Sequence, residues 1–120
     1  MRRDLDLIRK LILAVEDRDA ENWIPEIRID GYTSKQIGYH SYLLVDAGLA
    51  KGTDVSTVED MLPNWHLSYL TSAGHDFADA ARSDSTWNKA TTLVKDTGGG
   101  FTLDVLKQVL VSVLKNALGL

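Results

Sequence analysis

The chain has 120 residues, 44% hydrophobic and 25% charged, which is the balance of one folded domain with a core of its own. Its net charge of −4 lacks the basic surplus usual in dedicated nucleic-acid binders, and the absence of cysteine excludes disulfides, thiolate zinc sites and thiol nucleophiles. Asp4, Asp6, Arg9 and Lys10 interrupt any signal-peptide core, and no apolar run approaches the ~20 residues of a membrane span, so a cytoplasmic protein with no membrane partner is expected.

The first predicted helix runs from Leu5 to about Asp17, capped by Asp4, with Leu5, Ile8, Leu11, Ile12 and Val15 on one stripe. Arg18 to Asn22 reads as a polar loop. Glu26–Asp30 then alternates polar and apolar with period two, which predicts a short strand before an Asp30-Gly31 turn. Thr33 and Gln36 form the T-x-x-Q pattern of a capping box, flanked by Tyr32 and Ile37 as a hydrophobic staple. They open a helix from Ser34 to Ala47 that stops at Gly48. Strands are predicted at Leu49–Thr53 and His66–Leu70, joined by a loop over Gly52–Trp65. Thr71 caps a helix over Ser72–Arg82, with Phe77 and Ala81 inward. Ser83 or Asp84 caps the next, with Trp87, Ala90, Thr91 and Val94 on one face. After Gly98–Gly100, a last helix runs from Thr102, with a Phe101–Leu106 staple, to about Leu118.

This order predicts an α+β, winged-helix-like domain with a small three-stranded antiparallel sheet, a degenerate helix-turn-helix and additional C-terminal helices. It is degenerate because the room between Asp19 and Thr33 cannot hold both a strand and the scaffolding helix that normally orients a reading helix. The expected division is a winged-helix-like domain over 1–97, then a glycine hinge with an apolar helix over 98–120.

The Ser34–Ala47 helix is the candidate reader. Ile37, Leu43, Leu44 and Ala47 are its expected buried set, leaving Lys35, Gly38, Tyr39, Tyr42 and Asp46 for a partner. Base reading favours Arg, Lys, Asn and Gln, and phosphate contact favours positive charge. The candidate wing carries Asp54, Glu59 and Asp60 with no Arg or Lys. If DNA is bound, Arg2, Arg3, Lys35, Tyr39 and Tyr42 are the residues expected to carry it. The same two tyrosines also suit a protein contact or cover for the core edge.

His40, His66 and His75 lack the spaced partners of a metal site; His75 and Asp79, four residues apart, make an ordinary surface pair. The serines Ser72, Ser83 and Ser85 sit at helix starts, where capping accounts for them. Gly98–Gly100 lacks the Lys-Ser/Thr of a phosphate loop. No catalytic residue, cofactor or metal is expected, so the chain does not read as an enzyme.

Three blocks carry a family resemblance: the opening M-R-R-D-L-D-L-I-R-K-L-I-L, then Y-H-S-Y-L-L-V-D-A-G-L-A, then L-T-S-A-G-H-D-F-A-D-A-A-R-S-D-S-T-W-N-K. With the glycines and the final leucine-rich helix, they resemble a family of small bacterial and phage proteins known as a domain of unknown function. The resemblance implies a phage or prophage origin and a winged-helix-like core, and implies no activity. That family carries a leucine where this chain has Ser41. H-x-x-L-L-x-x-A-G-L and L-T-x-x-G are also similar to bacterial winged-helix regulators, a likeness of core and turn residues.

On the last helix, Leu103, Leu106, Val109, Leu110, Val113, Leu114 and Ala117 cover an arc of roughly 200°, about twice what one contact buries. They predict a homo-oligomer built on this helix, the other reading being a groove in the chain's own domain between the first helix and the Trp87 helix. Two functions remain open: a DNA-associated regulator of a mobile element, or an interaction module that binds a host or phage protein without DNA.

Overall fold

The computed structural model describes residues 1–19, 26–96 and 102–120. It is α+β, with five helices and one two-stranded antiparallel sheet among the described residues. The chain divides into two compact units, Met1–Gly74 and His75–Leu120. That division falls well before Gly98–Gly100. These glycines lie outside the described residues, as do Phe101 with its expected staple and Ala20–Asn22 of the first loop.

The first unit contains α1 (Leu5–Glu16), α2 (Ser34–Asp46), β1 (Ala50–Asp54) and β2 (Trp65–Leu70). Asp4 caps α1, its carboxylate accepting the Leu7 N–H at 3.1 Å. The helix buries Leu7, Ile8, Leu11, Ile12 and Val15, while Leu5 is only half-buried. Each fully buried aliphatic side chain contributes about 1.5–3 kcal/mol, so this stripe is a large part of the unit's core, with Ile37, Leu44, Leu49, Leu67 and Leu70 as its other large buried aliphatics among the described residues.

The capping box of α2 is formed: Gln36 N–H donates to Thr33 Oγ1 at 3.1 Å, and Thr33 N–H donates to Gln36 Oε1 at 2.8 Å. The helix ends in a Schellman motif. Gly48 N–H donates to the Val45 carbonyl and Leu49 N–H to the Leu44 carbonyl, each at 3.0 Å. Gly48 has φ 78°, the left-handed geometry that a side chain would strain.

The sheet holds two strands, not the expected three. Ala50 pairs with Leu70 and Asp54 with Trp65, with an irregularity in register after Lys51. Glu26–Asp30 forms no strand. Its alternation survives as sidedness, for Ile27 and Ile29 are half-buried while Glu26, Arg28 and Asp30 are exposed. On β2, Arg18 Nη2 donates to the carbonyls of Leu67 at 2.9 Å and Ser68 at 2.8 Å, so one guanidinium takes two of the strand's acceptors. The strand expected to stand in for the scaffolding helix is therefore not formed.

The second unit holds most of α3 (Ser72–Ala81), which begins in the first, then α4 (Asp84–Asp96) and α5 (Leu103–Ala117). Thr71 caps α3, accepting the Gly74 N–H at 3.1 Å. Ser83 caps α4, accepting the Thr86 N–H at 3.3 Å, and Thr102 caps α5, accepting the Val105 N–H at 3.1 Å. Phe77, Trp87, Ala90, Val94, Leu106 and Leu110 are buried, with the Phe77 and Trp87 rings 6.2 Å apart. No described helix is long and apolar enough to cross a membrane.

Candidate functional site

The candidate reader turns out to be largely covered. Ile37, Gly38, His40, Ser41 and Leu44 are buried, and Gln36, Tyr39, Tyr42, Leu43 and Val45 are half-buried. Between Lys35 and Asp46 no residue of α2 is exposed. This corrects the expected burial at three positions. Gly38 is buried because Asn64 lies against it, where a Cβ would collide with the Asn64 side chain. Leu43 is only half-buried, and Ala47 is exposed beyond the last turn.

Tyr39 and Tyr42 form an aromatic row that ends on β2. Their ring centroids are 6.0 Å apart, and Tyr42 lies 6.3 Å from Trp65. Tyr39 also sets an edge against His40 at 6.0 Å. Both rings are thus engaged in packing along the helix, at separations where aromatic pairs attract.

His40 is 1% exposed, and both of its ring nitrogens meet the backbone. Nε2 accepts the Asp4 N–H at 2.8 Å, and Nδ1 lies 2.8 Å from the Gln36 carbonyl. The Asp4 amide can only donate, so Nε2 is unprotonated and Nδ1 carries the proton it donates to Gln36. Burial lowers the His40 pKa, the Gln36 bond and Asp4 oppose that shift, and Arg3 adds to it. Asp4 also accepts the Tyr32 hydroxyl at 3.1 Å; desolvation, and after it this bond, raise the Tyr32 pKa. His40 and Tyr32 therefore fasten the start of α1 to α2 and to the turn before it. Sequence reading missed this role, although His40 shares a helix face with Ile37 and Leu44, a signal of burial. Ser41 is buried too and donates to the Ile37 carbonyl at 2.7 Å, beside a cavity of about 60 Å³.

Exposure concentrates on two other segments. Met1, Arg2 and Arg3 are exposed ahead of α1. In the loop from Val55 to Asn64, Val58 is 104% exposed and Met61 96%. This loop is held by its own hydrogen bonds. Val55 N–H donates to the Asn64 carbonyl at 2.9 Å, Ser56 N–H to Asp54 at 2.9 Å and Thr57 N–H to Asp60 at 2.8 Å. The Ser56 bonds hold the fully exposed Asp54 carboxyl below its ordinary pKa. A notch of about 90 Å³ lined by Met1, Lys35, Asp60, Met61, Leu62 and Pro63 joins the two segments. Of the residues expected to contact DNA, Arg2, Arg3 and Lys35 are exposed, Lys35 lines this notch, and Tyr39 and Tyr42 belong to the aromatic row. Two large apolar side chains within an acidic, turn-rich loop are the sequence signal for this surface.

On the last helix, Leu103, Leu106 and Leu110 are buried, Val109, Val113 and Leu114 are half-buried, and Ala117 is exposed. Among the described residues no group of three or more His, Asp or Glu side chains converges as a metal site.

The family model described as "Hypothetical protein (DUF2513)" matches residues 2–100. An "Uncharacterized protein" of Haemophilus influenzae is 33% identical over 119 residues, covering 98% of this chain and 99% of its own length. No solved structure matches the chain.

Proposed function

The chain belongs to the DUF2513 family, and we propose that its first unit is a winged-helix-like docking module for a protein partner, with no catalytic step. In this reading α2 is an internal support, the Val55–Asn64 loop is the wing, and the wing tip with the N-terminal arm makes the contact. The observation that carries it is the coverage of α2. A helix that reads a major groove presents a row of free side chains to base edges. Here none is exposed between Lys35 and Asp46, whereas Val58 and Met61 stand almost fully in solvent on a fixed loop. Large apolar side chains standing in solvent together, on a loop braced by its own hydrogen bonds, offer a protein partner a contact surface. A phage or prophage setting is carried over from the sequence resemblance.

A photo-crosslinking residue at position 61 of the whole chain, expressed in a bacterial host, tests this. It should capture one protein. Once purified, that protein should bind the chain with a Kd that rises about tenfold or more when Val58 and Met61 are both serine. Unchanged affinity in the double variant would overturn the assignment of the surface.

A DNA-associated role is the second reading, favoured by the exposed Arg2, Arg3 and Lys35 beside the start of α2. It takes the form of arm-to-phosphate contact rather than base reading, and would show a steep loss of affinity with salt.

A further inference from the structure

The outer face of α4 is polar except at Leu93, which is 53% exposed. Leu93 forms one wall of a groove of about 640 Å³, with Lys89 and Thr92 beside it on α4 and Val113 and Ala117 opposite on α5. Lys89 lies one turn before Leu93 and Asp96 one turn after it, and both are exposed. The order along this stripe is therefore cation, apolar residue, anion.

We propose that this groove is the contact between two copies of the chain. The charge order selects a second copy as its occupant. A two-fold axis crossing α4 between Thr92 and Leu93 lays the helix antiparallel to itself. Lys89 of each copy then faces Asp96 of the other, and the two Leu93 side chains meet over the apolar floor made by Val113 and Ala117. A parallel arrangement would set like charges against each other. This contact uses the α5 positions that the solvent still reaches, Val113 and Ala117, and leaves Leu103, Leu106 and Leu110 in the core of their own unit.

Sedimentation velocity on the full chain across a concentration series tests it. A reversible dimer is expected. Leu93→Glu should weaken it by about tenfold or more, because it places two carboxylates at the centre of the contact. Lys89→Asp and Asp96→Lys should each weaken it several-fold, and the double exchange K89D/D96K should restore it to near the original. All three positions of change are on the surface, and circular dichroism confirms that each variant is folded. A chain that stays monomeric at hundreds of micromolar, or a dimer that Leu93→Glu leaves intact, overturns the proposal. A double exchange that fails to restore the dimer overturns the antiparallel register on which it rests.

Discussion

A buried histidine whose two nitrogens both face the backbone behaves differently from the surface histidine that a helix of mixed polarity suggests. Burial penalises the charged ring of His40 and lowers its pKa, and protonation would also set a donor against the Asp4 N–H. The sign follows. The unfolded chain takes up this proton near the ordinary value of 6.5, before the folded chain does. The contribution of neutral His40 is present in full above that pH and is lost as pH falls from there through the lowered folded value. Chemical denaturation at a series of pH values should show stability falling below about pH 6.5. His40→Gln, which can still accept from Asp4, should flatten that dependence; an unchanged slope in the variant would assign it to other groups. The identity of this residue was plain in the sequence, but its burial depends on α1 arriving 36 residues away, which no local pattern records.

At the scale of elements, helix ends were the most legible features. Thr33 with Gln36, Gly48, Thr71 and Thr102 all act as their local chemistry dictates, because a cap is satisfied within one turn of chain. The strand at Glu26–Asp30 failed for the opposite reason. Period two fixes which side faces inward, but a strand also needs a partner edge, which the pattern does not supply; on β2 the Arg18 guanidinium takes the carbonyls of Leu67 and Ser68. Removing that guanidinium returns the edge to water. Arg18→Ala should cost about 1–3 kcal/mol in denaturant unfolding and speed exchange of the β2 amides. The wide apolar arc of α5 was also legible, but its division between core and surface was not, since only packing separates Leu106 from Ala117. Leu106→Ala should cost about 2–5 kcal/mol, and Ala117→Ser should change stability by less than about 0.5 kcal/mol, measured the same way.

For the molecule as a whole, composition and charge argue against strong DNA affinity, whereas the order of elements argues for it. The net charge is −4, and the segment from the end of β1 through the Val55–Asn64 loop carries Asp54, Glu59 and Asp60 around the exposed Val58 and Met61. The burial of α2 differs from the expected one at Gly38 because helical periodicity tells which face meets the core, not what a distant loop lays over the opposite face. Asn64 against Gly38 and Trp65 against Tyr42 close that face, and both arrive from the far end of the wing. Replacing Val58 and Met61 by serine should leave the denaturation midpoint within the experimental scatter, since side chains so exposed contribute little to folding. The central claim is that α2 supports the unit and does not read DNA. It is tested most directly by fluorescence anisotropy of a labelled mixed-sequence duplex, titrated with the whole chain at low salt. The account predicts no saturable binding at micromolar protein. Micromolar binding that Tyr39→Ala or Tyr42→Ala abolishes, in variants that remain folded, would contradict it.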